Sequence, residues 1–228
     1  MPLKNGVMSE PSVNAFIKGL CVLFLTCFAT SGILAQEGEW KKIREKDGIE
    51  IYNRKNESSD FKEFTSSTVI EGTVNEFLGV LYDVEALPSW AYKLKEARLL
   101  RRDSDSLQVY YAVAGAPFPY KDRDGVYLNR FRWDAEKKTL VVDIELLEDE
   151  IDEKEGLVRM DGIGFWKVVE LSDERVEVHF QMQMDPGGNI PAWLSNMFSG
   201  DTPYFTLQGL RNAMKKEEYR NKEYSLTR

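Results

Sequence analysis

The chain has 228 residues, with 30 Lys and Arg against 38 Asp and Glu, a formal net charge of -8. That acidity excludes a general nucleic-acid binder, because phosphate backbones select clustered Lys and Arg, and it brings no broad attraction to anionic lipid headgroups. Both cysteines, Cys21 and Cys27, fall within the first 35 residues, so the remainder has no disulfide, thiol nucleophile or cysteine-ligated metal.

Taken in chain order, Lys18 precedes the apolar run LCVLFLTCFA and a softer segment that ends at Ala35. A cation, an apolar core and a small residue ahead of a polar chain are the marks of a secretory signal peptide. The run is short for a membrane span, which takes about 20 apolar residues. The expectation is a signal peptide over 1–35, one domain over 36–228, and a periplasmic or secreted destination; an uncleaved anchor is the alternative.

Ile49 to Tyr52 and Phe61 to Ile70 read as short strands joined by the polar turn KNESSD. Thr73 is a helix N-cap, with Glu76 three residues on completing a capping box, and Pro88 ends that region. From Glu96 onward the apolar period becomes two. Leu140, Val142, Ile144 and Leu146 share one phase, as do Val176, Val178, Phe180, Met182 and Met184. Further strands fall near 107–114, 125–133 and 157–171, giving an antiparallel sheet with one buried face. Gly162 and Gly164 suggest a bulge or sharp bend. After the turn Asp185-Pro186-Gly187-Gly188 comes a short apolar segment, Ile190 to Phe198. A last helix is then expected, with Thr202 as cap, Pro203 in its first turn, and Phe205, Leu207, Leu210 and Met214 on one face.

Catalytic signatures are scarce. His179, the only histidine, stands on the polar face of its strand, and Gly162-Ile163-Gly164 lacks the third glycine of a dinucleotide fingerprint. No metal or cofactor is expected. The acidic run Glu148 to Glu153 lacks the EF-hand pattern and reads as a solvated loop. Arg123, in the motif Asp122-Arg123-Asp124, has the strand parity of Tyr127, Asn129, Phe131 and Trp133, which points it toward the aromatic face. Two readings stand for it. Either Asp122 or Asp124 braces it locally, or it is a polar anchor at one end of an apolar cavity.

The ordered set Trp40-Lys41-Lys42, Asp47-Gly48-Ile49, Tyr82-Asp83-Val84-Glu85, Pro88-Ser89-Trp90, Lys95-Glu96-Ala97, Asp122-Arg123-Asp124 and Asp185-Pro186-Gly187-Gly188 through Pro191-Ala192-Trp193-Leu194 resembles a bacterial START domain. This is the StAR-related lipid-transfer family, within the helix-grip superfamily that also holds polyketide cyclases. The likeness runs from about Trp40 to Met214. It implies an α+β helix-grip fold: a curved antiparallel sheet wrapped around a long C-terminal helix, with an internal hydrophobic cavity. It also implies non-enzymatic binding or transfer of a lipid or other apolar small molecule. A cyclase- or aromatase-like enzyme using Arg123, Tyr111 or Tyr127 is the alternative. The family often places an acidic and a basic residue in the cavity, and Glu96 and Arg123 are the candidates here.

On that reading Arg123, Tyr127, Asn129, Phe131, Val142, Ile144, Met160, Trp166, Phe180 and Met182 are the ligand-binding walls. Trp193, Met197, Phe205 and Leu210 make a roof, with Gly187, Gly188 and Gly200 as hinges. A pocket of about 300–1,000 Å³ is expected. The Ile190 to Phe198 cluster has three open readings: core packing under a corner, a cavity gate, or transient membrane contact. A monomer is expected.

Overall fold

The computed structural model describes residues 38–55, 61–188 and 190–228, and only the backbone over 192–198. The signal-peptide expectation over 1–35 lies outside these residues, as does most of the turn KNESSD.

The elements in chain order are strands β1 (Lys41–Lys46), β2 (Ile49–Lys55) and β3 (Lys62–Glu71), helix α1 (Val74–Tyr82), then β4 (Leu94–Ser104), β5 (Leu107–Ala114), β6 (Arg123–Asp134), β7 (Thr139–Leu147), β8 (Val158–Arg159), β9 (Asp161–Ser172) and β10 (Arg175–Asp185), and helix α2 (Ala192–Ala213). A 3₁₀ segment, Val84–Ser89, follows α1 and carries Pro88 within it. The capping box forms as expected: Thr73 Oγ1 accepts from the Glu76 N–H at 3.1 Å, and Glu76 Oε2 accepts from the Thr73 N–H at 2.9 Å.

The strands make one sheet in the order β1-β2-β3-β10-β9-β7-β6-β5-β4, with β8 paired to β6 off that path. Short local connections make the β4–β5, β6–β7 and β9–β10 pairs antiparallel, and β3 and β10, far apart in the chain, pair antiparallel as well. Period-two patterning sets the two faces. Leu140, Val142, Ile144 and Leu146 are all buried, as are Val176, Val178, Phe180 and Met182, each worth about 1.5–3 kcal/mol on burial. His179 falls on the solvent side, beside Glu177 at 3.2 Å.

Several expectations need correction. The register of β9 against β10 runs unbroken through Gly162 and Gly164, and that against β7 through Gly164 to Ile163, so no bulge forms there. The glycines answer to close approach instead: a Cβ on Gly164 would stand 2.2 Å from Met182 Sδ and 2.3 Å from the Gln181 carbonyl. The last helix does not begin at Thr202. It starts at Ala192 behind Pro191, so the apolar segment is its own first turns, and Pro203 sits mid-helix, where it has no N–H to give to the preceding turn.

The acidic run is also more than a solvated loop. Ile151 and Leu157 pack on a second cluster on the outer face of the sheet, formed by Val109, Tyr111, Val113, Val126 and Leu128. Arg159 fastens this flap. Its guanidinium donates to the carbonyls of Glu148 and Ile151 at 2.8 and 3.3 Å, and pairs through two bonds of 3.1 and 3.2 Å with the buried Asp124 carboxylate.

Candidate functional site

The inner face of the sheet is laid out in rows. Phe131, Val142, Trp166 and Phe180 lie opposite one another across β6, β7, β9 and β10. Trp166 and Phe180 stack at 3.8 Å between ring centroids. The next row holds Asn129, Ile144, Gly164 and Met182, and beyond it Tyr127 pairs with Tyr110 of β5. Phe77 and Tyr82 of α1 meet Trp166 and Phe131 of the first row edge-on, while Ser199, Thr202 and Thr206 of α2 share a space with Trp166, Phe180 and the two rows beyond.

Polar contacts hold the helix against one end of the sheet. In the β1–β2 turn, Asp47 accepts from Tyr204 Oη at 2.6 Å and Gln208 Nε2 at 3.2 Å. Arg211 donates to the Asp47 carbonyl at 3.0 Å and to Thr68 Oγ1 at 2.6 Å. Arg44 pairs with Asp201 at 2.8 Å. At the other end, the Tyr92 N–H donates to Thr206 Oγ1 at 3.2 Å, tying the segment before β4 to α2.

Between helix and sheet lies a mainly apolar cavity of about 160 Å³. Its mouth is where β3, β4 and β6 begin and β5 and β10 end, marked by Lys62, Lys93, Gly115 and Pro186 in the wall. That volume is below the expected range, near that of cavities that take a single small ring. A larger guest requires wall residues to move. Met182 is the obvious one, its flexible thioether laid over Gly164.

Of the residues picked from the sequence, Tyr127, Asn129, Ile144, Met160, Trp166, Phe180 and Met182 line this cavity. Phe131, Val142 and Leu210 do not; they are buried in the core behind it. Phe205 is a clear correction, being 40% exposed and stacked on Tyr92 at 4.8 Å. Leu207 and Phe205 are two residues apart, about 200° around a helix, and cannot share a face. Trp193 and Met197 belong to the first turns of α2, where side chains lie outside the described residues.

Arg123 is buried at 4% exposure but is not part of the wall. Among the described residues its guanidinium has two carbonyl partners, Pro186, 3.3 Å from Nε, and Lys121. Neither aspartate brace forms: Asp122 takes Lys95 at 2.7 Å, and Asp124 takes Arg159. Burial lowers the Arg123 pKa, with Asp122 partly opposing. Glu96 is exposed. Of the groups named for an enzymatic alternative, Tyr111 belongs to the outer cluster and only Tyr127 reaches the cavity.

Sequence reasoning missed Trp90, Tyr110 and Thr206 as wall residues. Among the described residues, Trp90 Nε1 and Asn129 Oδ1 are buried without a hydrogen-bond partner. Burial pushes the phenols of Tyr110 and Tyr127 well above their ordinary value, so both stay neutral.

A helix gripped by an antiparallel sheet, with an apolar cavity between them, defines the helix-grip class of ligand-binding fold. Comparison with known proteins gives the family. The START domain model matches residues 26–220, and the chain belongs to the START domain family. It is 31% identical to the STAR-related lipid transfer protein of Xanthomonas axonopodis (fragment 25–204), covering 78% of this chain and 99% of that one, with a TM-score of 0.72. It is 28% identical over 198 residues to an uncharacterized protein of Pseudomonas aeruginosa, spanning 86% of this chain and 96% of that protein. The mouse phosphatidylcholine transfer protein is 29% identical over 163 residues, spanning 69% of this chain and 75% of its own length.

Proposed function

We propose that this chain is an exported, non-enzymatic carrier that takes a lipid or similar apolar molecule into the cavity beneath α2 and releases it at a membrane. The observation that carries this reading is the cavity between helix and sheet, walled largely by aromatic and aliphatic side chains, with Met160, Met182 and Met184 able to re-pack around a guest. Membership of a lipid-binding family supports it, and the leader-like residues before Ala35 support export. Contact with a membrane is supported by Phe118, 96% exposed on the β5–β6 loop at the mouth end of the sheet. Lys121 follows it in the same loop. An apolar ring beside a cation suits the interfacial layer of a bilayer.

Native mass spectrometry of the protein exported by its own host and purified without detergent tests the reading. A stoichiometric apolar mass, together with movement of fluorescent lipid between vesicles that slows in Phe118→Asp, is the expected result. A bare protein that takes up no fluorescent lipid overturns the carrier.

A further inference from the structure

If the carrier reading holds, the polar atoms inside the cavity define the chemical group it receives. Asn129 stands well inside, about 20 Å along β6 from the strand's start at the mouth end, and is 3% exposed. Among the described residues its Oδ1 has no hydrogen-bond partner, and neither has Trp90 Nε1. Tyr110 and Tyr127 share the wall with them, stacked at 5.0 Å. Buried polar atoms are nearly always satisfied, since water removed from an amide or an indole N–H must be replaced.

The charges are equally telling. Among the described residues the wall holds no Asp, Glu, Arg or His, and the lysines there, Lys62 and Lys93, are exposed. An anionic or zwitterionic group drawn inward to Asn129 meets no counterion, which disfavours it far more than a neutral dipole. A carboxylate or an ester carbonyl can only accept hydrogen bonds, so either would leave the Asn129 oxygen unmet. A hydroxyl does both jobs: it donates to Asn129 Oδ1 and accepts from the Trp90 N–H or a tyrosine hydroxyl.

We propose that Asn129, with Trp90, Tyr110 and Tyr127, is a recognition site for the hydroxyl of an uncharged amphiphile. The cargo is therefore a neutral hydroxylated lipid rather than a phospholipid or a free fatty acid.

Three ligands with one carbon skeleton test this by calorimetric titration of the full chain: 1-dodecanol, dodecanoate and dodecane. Dodecanol is expected to bind about tenfold tighter than dodecanoate, the scale of one buried hydrogen bond. Asn129→Leu removes about tenfold of the dodecanol affinity and leaves dodecane unchanged. Trp90→Phe keeps an aromatic wall while deleting one N–H, so it shows the same selective loss even if Asn129→Leu folds poorly. Dodecanoate binding as tightly as dodecanol, or dodecanol binding untouched in both variants, overturns the hydroxyl site and leaves the carrier standing. A chain that binds none of the three overturns the carrier reading and the site with it.

Discussion

Arg123 and Pro186 are joined by a hydrogen bond from the guanidinium Nε to the carbonyl at 3.3 Å, which ties the start of β6 to the turn after β10. That turn runs through Gly187 and Gly188, both at φ 64°, and a Cβ on Gly187 would stand 2.6 Å from the Arg159 carbonyl. The buried cation thus pins the chain just before α2. Arg123→Met removes the tie and is expected to lower stability by about 1–3 kcal/mol while speeding ligand release. Urea unfolding and stopped-flow release rates measure both. An unchanged release rate would separate the 186–188 turn from any gating.

Asp124 is a different case, because its partner is a charge. Its side chain is 2% exposed and that of Arg159 8%, so removing one charge strands the other in the interior. Asp124→Asn is expected to lose about 3–5 kcal/mol. The 148–157 flap, held through the Arg159 guanidinium, becomes the first site of protease cleavage. Flap cleavage at the native rate would show that Arg159 holds it without Asp124.

The β5–β6 loop carries an acid-sensitive brace. Asp122 accepts from Lys95 Nζ at 2.7 Å and the Ala116 N–H at 2.9 Å, and these bonds hold its pKa below the ordinary 3.8. A lowered folded pKa means the contribution is fully present above the unfolded value and is lost as pH falls through the folded one. Loosening of the loop is therefore expected only below about pH 4, read from the Ala116 amide signal. Asp122→Asn should show the loosened signal at neutral pH and no further change on acidification. A wild-type signal in that variant would remove Asp122 from the brace.

Gly209 marks a close approach of α2 to the segment before β4. A Cβ there would lie 2.0 Å from the Trp90 carbonyl oxygen and 2.8 Å from its carbon, both backbone atoms. Gly209→Ala must push α2 or the 3₁₀ segment outward, at a cost of about 1–3 kcal/mol. At roughly 2–4 °C per kcal/mol the fall in Tm is easily measured. A native Tm with unshifted Trp90 emission would contradict the packing.

What could be read from the chain was what periodicity encodes. Alternation exposed β7 and β10, and the parity of β6 turned Tyr127 and Asn129 toward the cavity, which they line, whereas Arg123 of the same parity is buried outside its wall. Pairing is a property of two strands at once, so nothing in β5 alone announced that Tyr110 stacks on Tyr127. β1 was missed because KKIREK is largely exposed and shows no apolar phase. The start of α2 was hidden by Pro203, which reads as a first-turn residue but falls twelve positions into the helix. The partners of Arg123 were missed because backbone carbonyls leave no mark in a residue code.

The open sheet has one more consequence. Its terminal strands among the described residues are β1 and β4, and the edge of a sheet is a template on which another chain can pair; on β4 the Leu99 N–H is already taken by Glu85 Oε1 at 3.3 Å. Both are blunted. β1 carries Lys41, Lys42, Arg44 and Lys46 and slips register between Lys42 and Arg44; β4 is rich in Arg and Lys and slips three times along its length. Charge and irregularity of this kind oppose polymerisation by strand addition.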